Sequence, residues 1–112
     1  MLNRTVNAQL KRSAPIFAAL GDDVRLALVA RLSRGEPLSI TRLSEGLPIT
    51  RQAVTKHLHV LEEAGLVSGE KNGREQMWSL QPKSLNEAQR CLGIISEQWG
   101  EALGRLKAFV EE

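Results

Sequence analysis

Cysteine is almost missing from this sequence of 112 residues, in which Cys91 is its one representative. A single cysteine cannot close a disulfide within the chain, and disulfides are the usual support of small secreted folds. The sequence also lacks a run of about 20 apolar residues, the length that crosses a bilayer. Its polar start, Met1 to Arg12, has no apolar stretch typical of a signal peptide. We therefore expect a cytoplasmic protein that has no membrane partner.

Catalytic motifs are missing as well. The sequence contains no G-x-S-x-G elbow, no phosphate-binding glycine loop and no C-x-x-C pair. Its carboxylates form no pair that helical or strand periodicity would bring together for acid-base chemistry. The sequence thus predicts neither an enzymatic activity nor a cofactor.

What the sequence does contain is enough apolar residues for one domain, together with an uneven charge. Its length and its 42% share of apolar residues suit a single domain over residues 1–112. Residues 1–60 carry nine basic and four acidic side chains, whereas residues 61–112 carry six basic and nine acidic ones. An anionic partner is therefore expected on the first half of the chain.

Apolar spacing and capping residues predict three helices in the first 46 residues. The first helix ends at Gly21, and Pro15 either breaks or begins it. Its expected inward-facing residues are Leu10, Ala14, Phe17 and Leu20. Asp22 or Asp23 caps the second helix, in which Leu28, Val29 and Leu32 face inward and which ends at Gly35. After a short extended connector from Pro37, Ser39 caps a short third helix.

A fourth helix follows after only about three residues, which is the short connection of a helix-turn-helix. Thr50 is its expected cap, and the helix runs to Ala64. Gly65 then supplies a left-handed residue, so that Leu66 can fold back on Leu61 as in a Schellman motif. Both ends of this helix are therefore well marked.

The rest of the chain predicts a hairpin and one long helix. Residues 66–71 and 74–80 read as strands joined by Asn72-Gly73, because both of these residues accept a positive φ. After Pro82, Ser84 and Glu87 form a capping box that starts the last helix. The expected fold is mainly α with a small β-hairpin, a dimeric winged helix-turn-helix of order α-α-α-α-β-β-α. Its recognition helix spans about residues 50–64, its wing 66–80 and its dimerisation helix 84–110.

The fourth helix is amphipathic. One side is apolar, whereas the opposite side carries hydrogen-bonding or basic residues, namely Arg51, Gln52, Thr55, Lys56 and His59. Side chains of these types can bond base edges in the major groove of DNA. The alternative is an ordinary solvated face. The short turn before the helix and the wing after it favour DNA, with Lys71 and Arg74 beside the wing tip in reach of a phosphate or the minor groove.

The last helix carries an apolar seam with alternating spacings of three and four residues over nearly four heptads. The seam consists of Leu85, Ala88, Leu92, Ile95, Trp99, Ala102, Leu106 and Phe109. A helix of about 40 Å is too long for so small a domain to cover, and we expect a second copy of the chain on it. The alternative is a helix packed wholly on its own domain.

The histidines and the cysteine give no metal site. His57 and His59 point about 200° apart on a helix, so they cannot chelate one ion. His57 is expected to be buried and hydrogen-bonded, and His59 to contact DNA or solvent. Cys91 is expected to be buried, although a thiol sensor or a pair of Cys91 residues between subunits stays open.

Four segments together resemble the ArsR/SmtB family of transcriptional regulators. They are residues 18–29 (AALGDDVRLALV), 49–58 (ITRQAVTKHL), 61–67 (LEEAGLV), and Gly73-Arg74 with Trp78-Ser79-Leu80. The resemblance covers about residues 14–110 and implies a dimeric repressor of a palindromic operator. It also implies base and phosphate contacts from Arg51, Gln52, Thr55, Lys56 and Arg74. Many members sense metals, but residues 38–44 contain no cysteine and the last helix contains no histidine.

Two other functions stay open from the sequence. A winged helix can serve as a protein-interaction module, although that use would favour an acidic or apolar fourth helix. The protein can also be gated by an effector of unknown identity, or by oxidation of Cys91.

Overall fold

The computed structural model describes residues 4–111, so Met1–Asn3 and Glu112 of the predicted domain lie outside the described residues. Five helices and three strands follow one another along this range. They are α1 (Arg4–Leu20), α2 (Asp23–Leu32), β1 (Leu38–Ser39), α3 (Ile40–Ser44), α4 (Arg51–Glu63), β2 (Val67–Asn72), β3 (Glu75–Leu80) and α5 (Pro82–Glu111). The predicted order of helices and hairpin is confirmed, with β1 as an addition.

The sheet has three antiparallel strands in the order β1-β3-β2. The two-stranded ribbon expected from the sequence is therefore incomplete, because the extended connector after Pro37 pairs with β3. Leu38 lies opposite Trp78, and Ser39 lies opposite Met77. Two residues are too few to show the alternation by which a strand is recognised in a sequence.

The helix-turn-helix consists of α3 and α4, and its caps are those predicted. The Ser39 side chain accepts from the backbone N–H of Arg42, and the Thr50 side chain accepts from that of Ala53 at 3.0 Å. At the other end of α4, the N–H of Leu66 bonds the Leu61 carbonyl and the N–H of Gly65 bonds the Glu62 carbonyl, both at 2.9 Å. This pair of bonds is the predicted Schellman ending.

One apolar core holds α2, α3, α4 and the sheet together. Its side chains with no exposed surface are Leu28, Leu32, Leu43, Val54, Leu58, Leu61 and Leu66, and Trp78 is only 1% exposed. Val54, Leu58 and Leu61 come from one side of α4, which is the amphipathic pattern read from the sequence. Burial of this side turns the polar side of α4 outward.

The inner face of α1 differs from the predicted one by a rotation of one residue. The buried residues are Gln9, Ser13, Ile16 and Ala19, whereas Leu10, Phe17 and Leu20 are only half-buried and Ala14 is exposed. Gln9 and Ser13 are tolerated inside because both reach the backbone carbonyl of Glu87 in α5. Pro15 lies within the helix and does not begin it.

The start of α5 also differs from the prediction. The helix begins at Pro82, a residue that suits the first helical position because its missing N–H would have no partner there. Ser84 lies in the first turn, and its hydroxyl donates to the Ala64 carbonyl at 3.3 Å. The prediction of a capping box from Ser84 to Glu87 is therefore wrong.

The turn of the wing is shifted by one residue. Asn72 pairs with Glu75, so that the two loop residues are Gly73 and Arg74. Gly73 has φ 69°, and no non-glycine residue in the described part of the chain has a positive φ. Glycine at the first of two loop positions is typical of a type II′ turn, whereas a loop of Asn72 and Gly73 with positive φ at both residues would have been a type I′ turn.

Replacing Gly65 with alanine tests the Schellman ending of α4. Gly65 has φ 76°, and an added Cβ would lie 2.8 Å from the Ser84 hydroxyl oxygen. We expect Gly65→Ala to lower the free energy of unfolding by about 1–2 kcal/mol from its backbone conformation alone, measured by urea denaturation. Gly104→Ala is the matched control, because open space surrounds Gly104 within α5 and alanine should add up to about 1 kcal/mol. Equal effects of the two substitutions would contradict the assignment.

Candidate nucleic-acid interface

The outward side of α4 is free of cover from its own chain. Arg51, Gln52, Lys56 and His59 are exposed, and Thr55 is half-buried. The structure thus brings together all five side chains predicted on this helix. The first turn contains no acidic residue, so the partial positive charge of the helix N-terminus adds to the charges of Arg51 and Lys56.

Thr55 has a more restricted chemistry than a free hydroxyl. Its Oγ1 donates to the Arg51 carbonyl at 2.9 Å, four residues earlier in the helix. The hydroxyl proton is therefore in use, while the lone pairs and the methyl group remain available. Thr55 can accept a hydrogen bond from a base or contact a thymine methyl group.

His59 joins α4 to the base of the wing. Its ring meets Trp78 edge to face, with the centroids 5.8 Å apart. Its Nδ1 lies 3.3 Å from the carboxylate of Glu62. One side of the ring is thus held by the protein, and the other nitrogen is the one that can meet DNA or solvent.

The two basic residues of the wing take different positions. Arg74 is the second residue of the turn, at the tip of the hairpin, and is exposed. Lys71 lies in β2 opposite Gln76 and is exposed as well. Only Arg74 therefore extends beyond the paired strands.

A polar cluster behind α4 was not predicted. It contains His57, whose side chain is 25% exposed, so the prediction of a buried His57 is wrong. The His57 Nδ1 lies 3.3 Å from a guanidinium nitrogen of Arg25 and 3.9 Å from a carboxylate oxygen of Asp22. Arg25 also donates from Nε to the Ala19 carbonyl. The cluster connects the end of α1, the start of α2 and the back of α4. The helical spacing of the sequence places these residues on separate helices and carries no signal that they meet.

The carboxylate of Asp22 is the N-cap of α2. The hydrogen bond from the backbone N–H of Arg25 lowers the pKa of Asp22 below its ordinary value of 3.8, and this outweighs the partial desolvation. The charges of Arg25 and His57 act in the same direction. The ionised form of Asp22 is therefore favoured in the folded protein.

The predicted apolar seam of α5 divides into a covered and an uncovered part. Ala88 is buried in its own chain at 5% exposure, and Leu85 packs on the core. From Leu92 onward the seam is open, with large side chains that are about half to three-quarters exposed. These are Leu92, Ile95, Trp99, Leu106 and Phe109, while the small Ala102 is half-buried. Leu103 and Val110 are also exposed and belong to the open strip, although neither is part of the seam predicted from the heptad spacing.

Cys91, a residue of α5, is buried at 4% exposure. Within residues 4–111, no three histidine, cysteine, aspartate or glutamate side chains cluster in a way that could hold a metal ion. Over the same range, no helix has both the length and the apolar character needed to cross a membrane.

Comparison with known proteins places these features in a family. Residues 20–70 match the helix-turn-helix domain family HTH_20. The ArsR-like transcriptional regulator of Rhodococcus sp. RHA1 superposes with a TM-score of 0.73 and is 34% identical, covering 91% of this chain and 95% of that one. The chain belongs to the ArsR/SmtB family.

Curated relatives agree with this assignment to the ArsR/SmtB family. The arsenical resistance operon repressor of Escherichia coli is 31% identical over 83 residues, which cover 68% of this chain and 71% of the repressor. The HTH-type transcriptional regulator Rv2034 of Mycobacterium tuberculosis is 42% identical over 69 residues, which cover 62% of this chain and 64% of that regulator. The family is one of DNA-binding transcriptional regulators, and the winged-helix fold predicted from the sequence is confirmed.

The Asp22 pKa leads to a testable pH dependence. A lowered pKa in the folded state gives stability that is present at neutral pH and is lost as the pH falls below 3.8 through the folded-state pKa. Asp22→Asn keeps a good N-cap but cannot ionise. We expect the wild type to be more stable than Asp22→Asn at about pH 6, and this difference to shrink toward about pH 3, measured by urea denaturation. Glu45→Gln, at an exposed site, is the control. A difference that is constant with pH would contradict the role of the carboxylate.

Proposed function

We propose that this protein is a homodimeric transcriptional repressor that binds an inverted-repeat DNA operator and has no enzymatic activity of its own. The observation that carries the proposal is the polar side of α4, which is exposed, free of acidic residues in its first turn and adjacent to the wing. We place this activity in the cytoplasm, the compartment expected of a chain with one cysteine.

Base reading is assigned to the first half of α4. Gln52 can bond adenine through two hydrogen bonds, and Lys56 and Arg51 can bond O6 and N7 of guanine. Thr55 contributes an acceptor or its methyl group, as its bond to the Arg51 carbonyl requires. The roles follow from the donor and acceptor groups that remain unused by the protein.

Phosphate contacts are assigned to the wing and to the far end of the exposed side of α4. Arg74 at the hairpin tip can reach a phosphate or the minor groove, and Lys71 lies behind it in β2. His59, held on one side by Glu62, presents its other nitrogen to the backbone or a base. These contacts position the protein, while the bases give specificity.

The dimer is assigned to the open strip of α5, from Leu92 to Val110. A strip of large apolar side chains at 45–74% exposure favours association with a matching surface. A two-fold dimer would present two copies of α4 to successive major grooves, about 34 Å apart. An inverted repeat is the DNA sequence that matches this symmetry.

Cys91 does not favour a redox-gated version of the function. Its side chain is buried, whereas redox-sensing cysteines are solvent-accessible and often stand next to a resolving cysteine. The two alternative functions are an effector-gated regulator and a protein-interaction module. Binding of a defined DNA sequence would distinguish the proposed function from a protein-interaction module.

Selection of bound sequences from a random DNA pool, followed by alanine variants, tests the assignment to DNA. We expect Gln52→Ala to weaken binding by about 1–3 kcal/mol and to relax the preference at one base position. Lys56→Ala and Arg74→Ala each remove one positive charge beside the DNA, and both should weaken binding and reduce its salt slope, by about one unit for Arg74, which is assigned to a phosphate. Lys83→Ala, an exposed lysine at the start of α5, is the matched control and should bind like the wild type. Unchanged affinity in all three variants would remove this mechanism.

Trp99 tests the dimer. Its side chain is 65% exposed in the single chain, so its removal costs little within the protomer but much in an interface centred on it. We expect Trp99→Ala to sediment as a monomer where the wild type sediments as a dimer, and Glu97→Ala, on the same helix, to remain dimeric. A full-strength Trp99→Ala dimer would place the anchor elsewhere.

A further inference from the structure

The long helix α5 is attached to the rest of the protein mainly through α1. It packs most extensively on α1, and α1 in turn packs on α2 and on α4. The largest contact between α5, which carries the open strip, and the rest of the chain is therefore the one with α1, while the hydrogen bond from Ser84 to the Ala64 carbonyl joins only the first turn of α5 to the end of α4. Any rotation or sliding of α5 on α1 changes how α4 is oriented relative to a dimer partner.

This contact contains a buried polar cluster. The side-chain amide of Gln9 donates from Nε2 to the Ser13 hydroxyl at 3.0 Å and to the Glu87 carbonyl at 3.2 Å. The Ser13 hydroxyl donates to the same carbonyl at 3.4 Å. Gln9 is 7% exposed and Ser13 has no exposed surface. Two side chains of α1 thus donate hydrogen bonds to one backbone carbonyl oxygen of α5.

The cluster is complete in its hydrogen bonds. Arg12 donates to the Gln9 Oε1 at 3.1 Å, which fixes the orientation of the amide. The neighbouring buried residues of α5 are Ala88 and Cys91, and such small side chains interlock weakly with a facing helix. Directional hydrogen bonds can specify one arrangement where packing specifies little, which is the role of single buried polar residues in coiled coils.

We propose that Gln9 and Ser13 are positioning residues that fix the rotation and register of α5 on α1, and so set the half-site spacing that the dimer accepts. The cluster holds α5, the dimer helix, on α1, and α1 packs on α4, the helix that reads DNA. This inference rests on the proposed function for its effect on DNA, while the geometric part stands on the single chain.

The first experiment measures geometry without DNA. Spin labels are attached at Glu63→Cys on α4 and Glu101→Cys on α5, both exposed positions, with Cys91→Ala to remove the native thiol. Dilution with unlabelled protein isolates the distance within one protomer. We expect a narrow distance distribution in this background and a broadened or displaced one after Gln9→Leu with Ser13→Ala. Identical distributions would overturn the proposal.

The variant is chosen to keep the protein folded. Replacing all partners on α1 by apolar groups is often close to neutral for stability, because no buried donor is left unpaired. Gln9→Glu is the second variant, since it keeps the size and the acceptor for Arg12 but loses the Gln9 donors to the Ser13 hydroxyl and to the Glu87 carbonyl. It should broaden the distribution in the same way. Gln89→Leu, at an exposed position of α5, is the control for an added leucine and should not.

The second experiment measures the spacing preference. Palindromes with the selected half-sites are made with the central spacer unchanged and changed by one base pair in each direction. We expect the wild type to prefer one spacer, and the double variant to lose about tenfold of that discrimination while it still dimerises and binds a single half-site. An unchanged preference would overturn the positioning role, because a purely structural defect weakens all spacers alike. If the wild type binds no palindrome, the proposed function fails and the distance measurement alone decides on the cluster.

Discussion

Burial of one side of α4 is the constraint on which the rest of the structure depends. Val54, Leu58 and Leu61 have no exposed surface, and each buried aliphatic side chain of this size stabilises the fold by about 1.5–3 kcal/mol. A rotation of α4 that hid Gln52 or Lys56 would have to expose these three residues. The side that faces DNA in our proposal is therefore held outward by the core and not by contacts of its own.

The wing and the helix before α4 complete this arrangement. Trp78 of β3 lies under His59, and Ser39 both pairs with β3 and caps α3. The helix-turn-helix and the hairpin are thus parts of one packed unit. Behind it, Arg25 bonds the end of α1 and faces His57, so the back of α4 is connected to the same frame.

Much of the fold could be predicted because local signals and global packing agree. The N-cap Thr50, the C-terminal Gly65 and the apolar spacing all indicate the same helix α4. A structure can be predicted from its sequence where local signals of this kind agree with the packing of the whole fold. The five side chains assigned to α4 followed from that helix alone. The strand β1 was too short for a pattern, and the turn of the wing used Gly73 with Arg74 because strand pairing extends through Asn72.

The predicted inner face of α1 is wrong for a different reason. Leu10 and Ala14 formed the better apolar stripe, but the helix buries Gln9 and Ser13 because a carbonyl of α5 accepts their hydrogen bonds. Long-range partners of this kind leave no trace in local spacing, and the same is true of Arg25 and His57. The apolar seam of α5 was predicted from its spacing, but the burial of its first part, at Ala88, depends on packing within the chain that the spacing does not show.

Because α5 is long, a small change of its angle at the contact with α1 moves its far end a large distance. The helix has 30 residues and gives the protein a long axis of 66 Å against 30 and 21 Å in the other directions. From the Glu87 carbonyl to the end of the helix is about 36 Å at 1.5 Å per residue. This part of the helix projects beyond the point at which Gln9 and Ser13 hold it. A slight tilt of α5 at the Glu87 carbonyl displaces Phe109 by several ångströms. The position of Phe109 is therefore the most sensitive measure of how α5 packs on α1.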